Sequence, residues 1–323
     1  MKFERILISL VLMMALIASC KKDDDSVTPS LQGNLHYNIP AYVLPGEVLT
    51  LIPTGGIHPE DGDFGYYWRG EGLISGRDTT RRIGDPASKD GRLVITMPDS
   101  LFTTSLVCVM YATGYQSLST TNTVTIVKDG SLTGIPHVDG EKSFVDTRDD
   151  RTYSYVSAEG LDWMNVNLKY AAAGKPFEDC APMTGLFGNL YTYEQAENAC
   201  PEGWRLPTLD EWKSLCGGSF KGAAGSLMVD SYFNTYKMWE YWPDVKISNK
   251  TGMNAIPAGY AKVSEDEWSF GGNNRYAFFW TSSDYDSEQK SYVQIYVDQP
   301  DVLVGNAHKD NLAVSVRCVR NSE

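Results

Sequence analysis

The chain has 323 residues, six cysteines, and 28 Lys+Arg against 41 Asp+Glu, a formal charge of −13. Its length suits about two domains. Its 42% hydrophobic content argues against a disordered chain, and its acidity argues against nucleic acid as a partner, since phosphate binding needs a basic patch. The 8 Trp and 19 Tyr suit β-rich or surface-binding domains.

At the start, Lys2 and Arg5 precede the apolar run Ile6–Ile17. That run is too short to cross a hydrocarbon core of roughly 30 Å as a lasting helix. Ala18, Ser19 and Cys20 follow. The string Ile17-Ala18-Ser19-Cys20 resembles the bacterial lipobox. The resemblance implies a signal peptide over residues 1–19 and acylation of Cys20, an anchor of several acyl chains that holds a protein on a membrane where one chain does not. An ordinary secretory signal or an uncleaved helix is the simpler alternative. Residues 20–32 read as anchor and tether: Lys21–Asp25 is charged, and the rest contains Pro29 without periodicity. An acidic run directly after the cysteine resembles the surface-export signal of Bacteroidetes lipoproteins. It implies a lipid-anchored outer-membrane protein facing the cell exterior; a plain solvated linker is the alternative.

Residues 33–128 alternate short apolar runs with turn signals. Candidate strands are Leu35–Ile39, Val48–Ile52, Gly65–Trp68, Arg92–Thr96, Leu106–Tyr111 and Thr123–Val127. Near-regular spacing with Pro/Gly turns and no helical period predicts an all-β sandwich. A Trp on the third strand, under a later strand bearing Val107 and Val109, resembles bacterial immunoglobulin-like or PKD-like modules. No cysteine lies near Trp68, so Cys108 reads as a buried free thiol. His58, Glu60, Asp61 and Asp63 lack the full spacing of a calcium loop and read as a polar turn.

Residues 129–142 hold three Gly, one Pro and little apolar content, and read as a linker. Beyond it come Phe144–Tyr153, Leu161–Leu168, Gly188–Tyr193, Cys200-Pro201-Glu202-Gly203-Trp204-Arg205-Leu206-Pro207-Thr208, Ile256–Tyr260, Phe279–Ser283 and Ser315–Val319. This ordered set resembles the Fibrobacter succinogenes major paralogous (FISUMP) domain over residues 143–320. Thr192 with Gln195, and Thr208 with Glu211, fit the capping box, which predicts short helices at about 192–199 and 208–215. The Gly-Trp-Arg-Leu-Pro-Thr string with Trp280 and a late Arg-Cys strand also resembles the C-type-lectin-like fold in its formylglycine-generating-enzyme variant. The fold class is therefore multi-domain: an immunoglobulin/PKD-like sandwich followed by an α+β C-type-lectin-like domain. That resemblance places Cys200 and Cys318 like the fold's long-range bridge, and Cys180 with Cys216 remain a second possible pair. Four cysteines allow three connectivities, which sequence leaves open.

The chemistry is sparse. Formylglycine-generating enzymes bind copper through cysteines near the chain end, where this sequence offers only Cys318. Gln299-Pro300-Asp301 matches the sugar-selecting string of calcium-dependent lectins, but it follows Trp280 instead of preceding a Trp-Asn-Asp strand, and reads as a turn. His36, His58, His137 and His308 are scattered; there is no HExxH and no nucleophile elbow. No cofactor or metal is implied, and the expectation is a non-enzyme.

Aromatics concentrate in Tyr232–Trp242. Trp239, Tyr241, Trp242, Trp268 and Tyr276 are the candidate ligand-binding residues, able to stack on sugar rings or anchor a partner; the alternative is that they fill a loop-rich core. The sequence thus reads as a surface lipoprotein acting as a binding or adhesion module for a glycan or protein ligand. A structural envelope component docked on a partner protein, or an enzyme on surface polysaccharide, are the competing readings.

Overall fold

The computed structural model describes residues 28–322 apart from 61–62, 71, 74–81, 84–89, 172, 240–244 and 266. The signal region with Cys20, most of the tether, Asp61, Tyr241 and Trp242 therefore lie outside the described residues. The chain is β-rich. In order, the strands before residue 127 are β1 (Gln32–His36), β2 (Tyr42–Val43), β3 (Val48–Leu51), β4 (Thr54–Ile57), β5 (Phe64–Gly70), β6 (Arg82–Ile83), β7 (Leu93–Thr96), β8 (Thr103–Ala112) and β9 (Leu118–Ile126). They form a five-stranded sheet β2-β9-β8-β5-β6 and two ladders, β3-β7 and β1-β4.

Period-two alternation builds this core. β3 and β7 bury Leu49, Leu51, Leu93 and Ile95 while Val48 and Val94 point outward. Trp68 pairs across β5-β8 with Cys108, meets the Tyr37 ring edge-on at 4.7 Å, and donates its indole N–H to Gly91 O at 2.8 Å. Cys108 is a buried free thiol, pushed by burial to about 12. Trp68 lies on the fifth strand, not the third as expected. β2 and β6, of two residues each, are too short to show alternation in the sequence, and the Thr54-Gly55-Gly56-Ile57 run of β4 does not alternate.

The following strands are β10 (Leu132–Thr133), β11 (Lys142–Asp146), β12 (Arg151–Ala158), β13 (Leu161–Met164), β14 (Lys175–Pro176), β15 (Asn189–Leu190), β16 (Tyr232–Phe233), β17 (Tyr236–Lys237), β18 (Ala258–Ser264), β19 (Glu267–Asn273), β20 (Tyr276–Asp284), β21 (Gln289–Tyr296), β22 (Leu303–His308), β23 (Leu312–Ala313) and β24 (Val319–Asn321). Short helices span Ala181–Phe187, Tyr193–Ala196, Leu209–Leu215 and Ala224–Leu227.

Both capping boxes form. Thr192 Oγ1 accepts the Gln195 N–H at 3.4 Å and Gln195 Oε1 accepts the Thr192 N–H at 3.0 Å. Thr208 and Glu211 do the same at 3.1 and 2.7 Å. The first helix is shorter than expected, because a turn from Ala196 to Ala199 leads Cys200 into its bridge with Cys318, 118 residues away. Cys180 and Cys216 are free, so the possible second bridge is absent. Cys180 Sγ donates to Tyr42 O at 3.6 Å, and Cys216 caps the helix Leu209–Leu215.

Residues 129–142 are not a free linker. β10 pairs with β16, and the Asn234 backbone N–H donates to Ser131 O at 2.7 Å. The Asn234 side-chain amide reaches back to Ile126 O, also at 2.7 Å. The Tyr42 ring meets Phe177 and Phe233 edge-on at 6.1 and 6.3 Å. Gly130, Gly134 and Gly140 have positive φ, and Gly130 and Gly140 lie in turns. The glycine content that suggested flexibility serves tight turns in a packed segment.

β11-β12-β13-β24 form one sheet, and β13-β24 sets the chain's end beside the start of this unit, with Trp163 opposite Val319. Trp212 packs between Trp163 at 5.1 Å and Phe279 at 5.3 Å. The largest sheet runs β19-β18-β20-β21-β22, with β23 on β18. It carries the site described next.

Candidate functional site

β20 and β21 pair in register from Tyr276↔Tyr296 to Trp280↔Tyr292. Alternate residues therefore share a face. Ala277, Phe279, Val293 and Ile295 face inward and are fully buried. Tyr276, Phe278, Tyr292, Gln294 and Tyr296 line a trough on the opposite face, joined by Tyr260 and Lys262 from β18. Leu303, Leu312, Asp298 and Gln299 complete it, and its volume is about 520 Å³.

The rings form a continuous aromatic array. Tyr260 stacks on Phe278 at 5.2 Å. Tyr276 stacks on Phe278 at 6.1 Å and meets Tyr296 edge-on at 4.8 Å. Phe278 is tilted against Tyr292 at 5.6 Å. Phe278 is buried, whereas Tyr260, Tyr276, Tyr292 and Tyr296 are half-buried, so each tyrosine keeps surface available to a ligand.

Two glycines make room for these rings. A Cβ at Gly272 would collide with Tyr276 Cδ2 and stand 3.0 Å from Tyr260 Cε1. A Cβ at Gly305 would collide with Gln294 Nε2 and stand 2.5 Å from Tyr292 Cζ. Gly305 sits in ordinary strand conformation in β22, so its role is space and not backbone freedom.

Polar groups punctuate the array. The Tyr296 hydroxyl donates to Gln294 Oε1. Burial pushes the Tyr292 and Tyr296 phenols above their usual value, with smaller pushes from neighbouring groups. They are therefore neutral hydrogen-bonding groups at neutral pH. Lys262 and Asp298 add one charge of each sign. The trough offers flat apolar faces beside amide, hydroxyl and ionic partners.

Of the three described sequence candidates, Trp239, Trp268 and Tyr276, the trough contains Tyr276. Trp239 is a correction: it is 4% exposed and belongs to the main core. Its indole N–H donates to Ala255 O at 3.2 Å, a backbone bond that turns the ring inward. Trp268 is half-buried on β19 and meets Phe270 at 6.0 Å and Lys175 Nζ at 5.1 Å. Tyr241 and Trp242 lie outside the described residues. Gln299-Pro300-Asp301 holds a loop: Asp301 Oδ1 accepts the Gly222 N–H at 2.6 Å and Pro300 O accepts that of Ala224 at 3.0 Å.

Sequence reasoning missed Tyr260, Tyr292, Gln294 and Tyr296. The signal was present in Tyr292-Val293-Gln294-Ile295-Tyr296, where aromatic or polar residues alternate with β-branched ones. Among the described residues, no group of three or more His, Cys, Asp or Glu could hold a metal ion.

A family model described as the Fibrobacter succinogenes major domain matches residues 156–320. No curated protein matches the chain.

Proposed function

The chain belongs to the Fibrobacter succinogenes major domain family, and from its own residues we propose a lipid-anchored surface protein that binds polysaccharide in the tyrosine trough. The lipobox-like Ile17–Cys20 and the acidic run after it support an acyl anchor in the outer membrane, facing outward. Trp68 within a β-sheet core supports an immunoglobulin/PKD-like reading of the first unit, as a spacer. The two capped helices, the Cys200–Cys318 bridge and the β13-β24 pair support a C-type-lectin-like reading of the second.

The observation that carries the binding reading is the trough itself. A pyranose presents a flat C–H face that stacks on aromatic rings and a rim of hydroxyls that needs hydrogen-bond partners. The half-exposed tyrosines supply the first, and Gln294, Gln299, Lys262 and Asp298 supply the second. Among the described residues, Asp298 is the only carboxylate lining the trough, whereas glycoside hydrolysis commonly uses a pair. Binding without cleavage is therefore the favoured reading.

Affinity electrophoresis of the purified protein through gels of different polysaccharides tests it. At least one polysaccharide is expected to retard the protein. Tyr276→Ala and Tyr292→Ala should each weaken binding about tenfold, equivalent to about 1.4 kcal/mol. Tyr236→Ala, at a 70% exposed site outside the trough, should leave it unchanged. No retardation by any polysaccharide would replace this reading with a docked envelope component, whose partner crosslinking on intact cells would identify. The anchor is tested separately: Cys20→Ala should move the protein from the membrane to the soluble fraction.

A further inference from the structure

Arg317 is buried to 1% exposure. Its Nε–H donates to Asn167 Oδ1 at 2.7 Å. Nη1 donates to Met164 O and Met253 O at 3.3 and 2.9 Å, and Nη2 to Asn254 O at 3.2 Å. A guanidinium has five N–H groups, so one on Nη2 has no partner in this set. All four acceptors are neutral. Buried charges are ordinarily paired with an opposite charge, and burial pulls Arg317 down to about 9.

Arg317 lines a cavity of about 190 Å³. A second cation, Lys169, also lines it; its Nζ donates to Gly185 O at 2.8 Å. Among the described residues, neither cation forms an ion pair. Glu141, on the neighbouring segment, does not line the cavity; its carboxylate accepts from Asn165 Nδ2 at 2.8 Å and faces His137 Nδ1 at 3.2 Å. The remaining wall is largely apolar, with Leu132, Ile135, Val166, Leu186, Phe187 and Ile256. The space is that of roughly six waters at about 30 Å³ each. An uncompensated pair of cations beside apolar walls of this size fits an anion with a short hydrocarbon tail.

We propose that this cavity binds a short aliphatic carboxylate, with its carboxylate toward Lys169 and Arg317 and its chain against Ile135, Leu186 and Ile256. The site shares no lining residue with the tyrosine trough, so it stands independently of the polysaccharide reading.

Calorimetric titration of the whole protein with butyrate, butanol and chloride tests it. Butyrate is expected to bind saturably in the millimolar range, and butanol at least tenfold more weakly. Lys169→Met should weaken butyrate about fivefold, and Ile135→Trp should abolish it by filling the cavity. Leu186→Trp serves the same purpose if Ile135→Trp fails to fold. Absence of saturable butyrate binding would overturn the proposal. So would equal affinity for butanol, which shows that charge is not read, or equal affinity for chloride, which shows that the apolar wall is not read. Unchanged butyrate affinity in a folded cavity-filling variant would also overturn it, by placing the ligand elsewhere.

Discussion

The two faces of the β18-β20-β21 sheet come from the same strands yet differ in chemistry. The inward face carries Ala261, Ala277, Phe279, Val293 and Ile295, all fully buried against Trp212 and its neighbours. The outward face carries Tyr260, Tyr276, Tyr292, Gln294 and Tyr296, half or nearly buried and lining open space. Close packing makes the volume of each inward side chain count. On the outward face the rings support one another and keep a free side, so their identity bears on recognition more than on folding. Substitution inward should cost stability, and substitution outward should cost binding.

Five measurements break or sharpen that contrast. The largest effect should come from opening the closure both faces depend on. On the chain-entropy account, a bridge closing 118 residues contributes about 4–5 kcal/mol, so Cys318→Ala should lower urea stability by that order. A loss below 1 kcal/mol would show that the β13-β24 pair closes the unit without the bridge. Next, Phe279→Ala should remove about 3–5 kcal/mol, because the ring is fully buried and stacked on Trp212. Equal stability of this variant and wild type would mean that the inward face is not close-packed.

A smaller effect is expected from Gly305→Val. The new side chain displaces Tyr292 and Gln294, and polysaccharide affinity should fall about tenfold, or about 1.4 kcal/mol. Stability should fall by less than for Phe279→Ala, and the reverse order would erase the distinction between the faces. The smallest effect should be that of pH on binding. The Tyr292 and Tyr296 phenols are pushed up by burial, so these two hydroxyls keep their protons below about pH 10. Stability should behave differently. Burial pushes the Asp146 carboxyl up, but the hydrogen bonds and charge of Arg148 outweigh it and hold it below the usual value. The stability from this pair is present above about pH 4 and lost as pH falls through the folded-state value. Binding that tracks neutral pH, or stability that is flat in acid, would separate the measurements from this account.

The two aromatic-rich stretches show what a linear reading catches. Tyr232–Trp239 has the density of a binding surface, yet Phe233 and Trp239 enter the core while Tyr232 and Tyr236 point outward. Its short hairpin faces two environments, and composition does not say which side meets the body of the protein. The Tyr292–Tyr296 strand is less conspicuous but strictly alternating. Alternation says that two faces differ; it does not say which is covered. The segment 129–142 makes the same point, since its glycines mark turns in a packed strand connection.

The sequence by itself determined the family, both capping boxes and the β-rich, multi-domain character, because these rest on local spacing and on motif order. Cys180 and Cys216 were open partners on sequence and are separate free thiols in the fold. The burial of Trp239, the docking of residues 129–142, the tyrosine trough and the charged cavity at Arg317 were decided only by tertiary structure. Each depends on which elements cover one another, and Gly305 shows why: its missing side chain matters only because Tyr292 and Gln294 lie across the neighbouring strand.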